Sequence, residues 1–303
     1  MTVDDLRYAR AVSPREEAPF AERCEALPRL GIGISTEYGA GRGGLDPIEL
    51  RRMHPDWVQF LEIGIDLERG VDADARRWIE SGWPVTYHFL DANLEERESL
   101  DETWLGDTRE LAREIGAAWL CGDAGLWHMG PRERGHGVLM PPILTDDSAT
   151  EMAHGVTLLR RATGLEVLPE NPPSQVYVGD LHLLDYFARV AERADCGLLL
   201  DVAHLAIYQR ATHRDPFEAL DRFPLERVIE VHVAGASEFT HAGRSFVDDD
   251  HTAQPLPETW ALLEHVLAHA PRLRALVFEC ERNRAADVRA SFERVTALAS
   301  AWR

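Results

Sequence analysis

From about residue 30 onward the chain repeats one pattern: a short apolar run without polar alternation, a polar loop, and a longer stretch with apolar residues at helical spacing. Short unalternated apolar runs suit strands buried on both faces, and the longer stretches suit helices that cover such a sheet. The pattern predicts strands at Leu30–Ile34, Trp57–Ile63, Val85–His88, Ala118–Cys121, Glu166–Leu168, Leu198–Asp201, Val228–Val233 and Ala275–Phe278. Helices are predicted at Pro47–His54, Ala73–Ser81, Leu94–Ile115, Ser148–Ala162, Leu181–Arg193, Pro216–Phe223, Glu258–His269 and Ala286–Ala301. Asp46-Pro47 and Asp215-Pro216 each set a capping acid before a proline at the first helical turn.

Residues 1–28, with mixed charge and three prolines, lack this periodicity and read as an N-terminal arm or lid; residues 29–303 read as one domain. Eight strand-helix units predict an α/β fold, a single (β/α)8 TIM barrel, with a doubly wound open sheet as the alternative. Both architectures gather ligands at the carboxyl ends of the strands. The open sheet is disfavoured because no G-x-G-x-x-G follows an early strand; Gly41-Arg-Gly-Gly44 has the wrong spacing and reads as a plain connection.

Composition narrows the class of function. With 45% hydrophobic residues the chain can build a large core, and no apolar run approaches the ~18 residues of a membrane span. The N-terminus lacks a basic segment followed by an apolar one, so a cytoplasmic protein is expected, without membrane association. Cys24, Cys121, Cys196 and Cys280 form no C-x-x-C pair and read as buried free thiols. Against 52 Asp and Glu stand 32 Lys and Arg, a net charge of −20 that repels phosphate backbones and excludes nucleic acid as an expected partner.

The chemistry shows at the strand ends. The third strand ends on His88, the fourth is followed by Asp123, and the fifth leads into Glu170. The sixth ends on Asp201, with His204 expected in the following turn. The seventh carries His232, the loop after it supplies Asp249 and His251, and the eighth leads into Glu279. On a barrel these positions converge at one mouth. Nine imidazoles and carboxylates with no interior lysine among them repel one another unless cations balance them, so a centre of roughly two or three metal ions is expected.

Four segments carry a family resemblance: Glu170-Asn171-Pro172, Leu199-Leu-Asp-Val-Ala-His204, Val231-His-Val-Ala-Gly235, and Asp249-Asp-His-Thr-Ala-Gln-Pro-Leu-Pro-Glu-Thr-Trp260. From about Gly31 to Glu281 the chain resembles the multinuclear non-haem iron-dependent oxidative enzymes that modify peptide natural products, within the xylose-isomerase-like barrel superfamily. The resemblance implies Fe(II) and Fe(III) together, O2 as co-substrate, and a peptide substrate, often modified at a cysteine or near its C-terminus, or an amino-acid-derived one. It leaves room for a separate partner protein that recognises the precursor. It also implies His88, Asp123, Glu170, Asp201, His204, His232, Asp249, His251 and Glu279 as metal ligands. Asp201, His204 and Asn171 are the expected catalytic residues, and Asn171, Trp127 and Arg244 the candidates to line the substrate pocket. Two departures stand out: Asp123-Ala-Gly-Leu-Trp127 lacks the family's histidine after the acid, and His204 stands where relatives often carry Asn, as in the related endonuclease IV.

Three classes of enzyme compete: an iron oxidase, a zinc or manganese phosphodiesterase, and a metal-dependent sugar isomerase or epimerase. The acidic surface disfavours the second, and the lack of a strand-end lysine disfavours the third. A metal-binding scaffold without catalysis is the remaining alternative.

Overall fold

The structure is a computed structural model, and the residues described are 18–36, 44–129, 139–300 and 302. Most of the expected arm and most of the Gly41–Gly44 loop lie outside them. Among the described residues there are nine strands: β1 (Gly31–Thr36), β2 (Phe60–Ile65), β3 (Val85–Phe89), β4 (Leu120–Asp123), β5 (Val167–Glu170), β6 (Leu198–Asp201), β7 (Val228–His241), β8 (Arg244–Thr252) and β9 (Ala275–Glu279). From β1 to β7 each strand pairs in parallel with its predecessor, and β9 pairs in parallel with both β7 and β1. That closes an eight-stranded TIM barrel, with β8 outside it as an antiparallel partner of β7. The expected barrel strands are all present, and only β7 runs far past its expected end, from Val233 to His241.

Helices cover the barrel: α1 (Phe20–Glu25), α2 (Pro47–Met53), α3 (Ala73–Glu80), α4 (Glu102–Ile115), α5 (Asp146–Thr163), α6 (Leu183–Ala194), α7 (Val202–Ala211), α8 (Pro257–His269) and α9 (Ala285–Ser300). Most core residues, among them Ile34, Ile63, Tyr87, Leu120 and Val231, form one large cluster with helix residues such as Trp78, Val156 and Phe187. A second core fills the barrel itself, where Phe60, Trp119, Cys121, Leu168, Leu199, Ile229 and Val277 meet Phe20 and Cys24 of α1. Helix α1 is pinned there by Arg23, whose Nε lies 2.8 Å from Glu166 in a partly buried ion pair, and by the Phe20 N–H donating to Asp195. The described end of the N-terminal segment therefore packs as part of the barrel's interior. All four cysteines are free and buried. Among the described residues no helix is long and apolar enough to cross a membrane.

Three elements differ from the sequence pattern. The helix expected over Leu94–Ile115 begins only at Glu102, where Asp101 accepts from the Thr103 and Trp104 N–H groups at 2.9 Å each. The residues before it are drawn into a loop by Asn93, whose amide binds Glu96, the His128 carbonyl and the Trp127 N–H. In place of a helix over Pro216–Phe223 there are turns and one short 3-10 segment, Leu220–Arg222. The helix of that unit is α7, directly after β6, and its Gln209 side chain donates to the carbonyls of Pro216 and Glu218, holding the later segment as a turn. The third difference is β8, which carries Asp249 and His251 on a strand rather than in a loop.

Candidate metal centre

Side chains alternate across a strand, so interior positions recur every second residue. Leu168 and Glu170, Leu199 and Asp201, and Val277 and Glu279 are such pairs, each stepping from the apolar interior to a polar mouth. The nine residues singled out in the sequence all reach this mouth. Asp201 is the N-cap of α7, and its Oδ1 accepts from the His204 N–H at 2.6 Å. His204 thus sits in the first turn of a helix, not in a free turn, and its position is set by the acid beside it. One oxygen of Asp201 thus serves the cap, while its Oδ2 is buried at the mouth without a hydrogen-bond partner.

Three imidazoles, of His204, His232 and His251, and three carboxylates form a closed circuit, and His88 joins it through Glu170. Glu170 Oε2 lies 3.0 Å from His88 Nε2, and its Oε1 lies 3.4 Å from His204 Nδ1 and 3.5 Å from His232 Nδ1. Glu279 presents Oε1 to His232 Nδ1 at 3.5 Å and Oε2 to His251 Nε2 at 3.8 Å. Asp249 Oδ2 lies 3.5 Å from His251 Nε2 and 2.9 Å from His204 Nε2. Asp201 and Asp123 flank the circuit, Asp201 grouped with Glu170 and His204 and with His232 and Glu279, Asp123 with His88 and Glu170. Only Asp249 and Asp123 keep appreciable side-chain exposure, at 15% and 12%, so the open side of the site is theirs.

The hairpin delivers Asp249 and His251 by a bulge. Between the pairs Gly235–Thr252 and Ser237–Asp248, three residues of β8 face the single Ala236 of β7, and His251 takes a left-handed φ of 51°. Bulges and left-handed non-glycine residues re-aim side chains at a local cost, a pattern common at functional sites. Gly235 is required where the strands meet, since a Cβ there would stand 2.0 Å from the Thr252 carbonyl oxygen.

This assembly holds too many like groups to be neutral by itself. Burial works to lower the His88 pKa, but Glu62, Glu170 and Asp123 outweigh it and lift it to about 10. His204, His232 and His251 are likewise driven well above the usual imidazole range by their carboxylates, against burial. Burial, with Glu279 and Glu170, pushes Asp201 up to about 7. Asp123 Oδ1, Asp201 Oδ2, Asp249 Oδ1, Glu279 Oε2 and His232 Nδ1 are all buried and unpartnered. Orphaned oxygen and nitrogen acceptors around one mouth, with no lysine anywhere in the chain, are the donor set that divalent cations satisfy.

Other expected residues have different places. Asn171 accepts from the Asp201 N–H at 3.0 Å through Oδ1 and donates to the Asp201 carbonyl at 2.9 Å through Nδ2. Both ends of its amide are spent on main chain, so it locks the end of β6, and its carbonyl meets His204 Nδ1 at 2.9 Å. The Trp127 indole donates to the Asp123 carbonyl at 2.9 Å, bracing that loop. Arg244 stands at the exposed tip of the hairpin, paired with His241. Five residues of strand at ~3.4 Å each separate it from Asp249, so it does not line the site. Two acids beside the site were missed from the sequence. Glu62, inside β2, contacts His232, and Glu281, just past β9, contacts His251. The signal for Glu62 was a charged residue within the apolar run Phe60-Leu-Glu-Ile63, two positions from interior Phe60.

The fold and the site define a TIM barrel with an acid- and histidine-rich mouth. A xylose isomerase domain containing protein from Salmonella typhimurium LT2 superposes with a TM-score of 0.56 at 14% identity, covering 90% of this chain and 98% of that one. A xylose isomerase-like TIM barrel protein from Mycobacterium smegmatis gives 0.55 at 16% identity, covering 92% and 99%. In sequence, the UPF0276 protein Anae109_1558 of Anaeromyxobacter sp. (strain Fw109-5) is 25% identical over 249 residues, 82% of this chain and 84% of that protein. UPF0276 protein AM1_3026 of Acaryochloris marina is 28% identical over 248 residues, covering 80% and 84%. The chain belongs to the RiPP precursor modification enzyme family MbnB/TglH/ChrH, whose model matches residues 45–299. Family and fold together point to an enzyme.

Proposed function

We propose that the protein is a multinuclear, iron-dependent, O2-using oxidative enzyme that modifies a peptide, or an amino-acid-derived molecule, in natural-product biosynthesis. The observation that carries this reading is the closed circuit in which Glu170, Glu279 and Asp249 each reach two or more imidazoles, an arrangement suited to bridging neighbouring cations. Membership of a family of RiPP precursor modification enzymes supports the peptide substrate.

His88, Asp123, Glu170, Asp201, His204, His232, Asp249, His251 and Glu279 would hold roughly two or three ions. Fe(II) and Fe(III) suit this mixed nitrogen and oxygen set, and when bound they would supply one-electron chemistry toward O2. The chain's own residues do the rest. Glu170, Asp201 and His232 are sealed from solvent at the base and hold their geometry there. Asp123 and Asp249 stand at the open side, where a substrate group approaches. Burial around them excludes water and strengthens every electrostatic contact with the reacting group. A separate precursor-recognition protein would present the peptide.

The test compares iron-reconstituted, anaerobically prepared protein with the zinc form, offering peptides encoded near its gene and abasic-site DNA. Bound iron and O2 uptake that begins only when a peptide is added are expected. DNA cleavage by the zinc form, with no O2 uptake on any peptide, would replace this reading with a metal-dependent phosphodiesterase.

A further inference from the structure

Resting on the reading of the mouth as a metal centre, the two acids behind it acquire a task. Glu62 is fully buried, and both its oxygens lie 3.2 Å from His232 Nε2. It is held by the Cys121 thiol, which donates at 3.1 Å, and by the Thr86 hydroxyl at 3.4 Å. A carboxylate only accepts, so Nε2 donates its proton to Glu62, and with a cation at the mouth the otherwise unpartnered Nδ1, 3.5 Å from both Glu170 and Glu279, would be the ligating nitrogen. Glu281 does the reverse for His251. Its Oε1 lies 2.9 Å from Nδ1 and its Oε2 accepts from the Ser35 hydroxyl at 3.2 Å. That leaves His251 Nε2 facing Asp249 at 3.5 Å and Glu279 at 3.8 Å.

We infer that Glu62 and Glu281 are positioning residues that fix His232 and His251 in opposite tautomers, and that each governs a different cation position on either side of Glu279. The two imidazoles face different oxygens of Glu279, Oε1 and Oε2, so their lone pairs serve separate positions. An acceptor behind a ligating imidazole orients the ring and raises its basicity, and losing one typically lowers metal affinity about 10- to 100-fold.

The experiment uses the full chain loaded with Zn(II), with ring-15N histidine spectra and zinc affinity by chelator competition. Signals are assigned by their loss in His232→Ala and His251→Ala. The wild-type spectrum is expected to show His232 protonated on Nε2 and His251 protonated on Nδ1. Glu62→Gln should weaken one zinc position about 10- to 100-fold and shift the His232 signals alone, while Glu281→Gln should weaken another and shift those of His251. The same tautomer on both rings, an unprotonated His232 Nε2 that would make Glu62 itself a ligand, or unchanged affinity in both variants overturns the inference. If a Gln variant does not fold, the wild-type ring spectrum alone decides the tautomers. A wild-type chain that takes up no zinc and no iron overturns the metal-centre reading beneath it, a distinct result.

Discussion

Asp201 divides its work between two oxygens. Oδ1 caps α7 through the His204 N–H at 2.6 Å, while Oδ2 is left buried and unpartnered at the mouth. These functions separate by substitution, because Asn caps helices about as well as Asp but carries no charge. Asp201→Asn should keep the fold and its melting temperature yet bind fewer ions per chain than wild type. Asp201→Ala should lose the ions and also about 1 kcal/mol of cap stability. Elemental analysis beside thermal unfolding checks both, and unchanged metal content in Asp201→Asn would remove the residue from the centre. His232→Ala should likewise lower metal content, with Glu62 left buried beside an empty volume.

At the scale of elements, the β7–β8 hairpin is the part of the fold that most affects the site. It leaves the barrel at Ala234, the last β7 residue paired with β9, and brings Asp249 and His251 back through a three-residue bulge. Gly235→Ala would set a Cβ 2.0 Å from the Thr252 carbonyl, and neither backbone can yield without moving β8. The variant should keep its barrel, since the eight parallel strands do not depend on β8, but bind less metal because Asp249 and His251 are displaced. Wild-type metal content with an unchanged melting curve would show that the hairpin has slack that this close approach does not suggest.

For the whole molecule the consequence is a stability that depends on pH and on metal in opposite senses. In the metal-free protein the His88 pKa is raised from the ordinary 6.5 to about 10. A group with a raised folded-state pKa contributes stability that is fully present below pH 6.5 and is lost as pH climbs through 10. His204, His232 and His251, raised as well, act in the same direction. The metal-free protein should therefore melt at progressively lower temperature from pH 7 toward pH 10. Ions displace these protons, so metal uptake near pH 7 should release protons into a weakly buffered solution and bind more tightly as pH rises. Melting curves with and without metal across this range check the prediction, and a metal-free protein that gains stability with pH would contradict it.

Much of this was legible along the chain because it depends on local pattern. Unalternated apolar runs such as Leu198-Leu-Leu200 can be buried on two faces only in a covered parallel sheet, and their number and spacing point to a barrel. A barrel makes strand ends converge, so His88, Glu170, Asp201, His232 and Glu279 could be gathered before any contact was known. What escaped depends on pairing between distant segments. That β8 folds back on β7 with a bulge follows from a register between residues such as Gly235 and Thr252, to which no short window responds. That the Asn171 amide binds the Asp201 main chain, 30 positions away, is likewise not readable from the Glu170-Asn171-Pro172 segment. Glu62 and His232 are 170 positions apart, and only closure of the barrel sets that buried carboxylate behind the imidazole. Local chemistry selects which residues line the mouth; long-range packing decides which nitrogen or oxygen each one turns toward it.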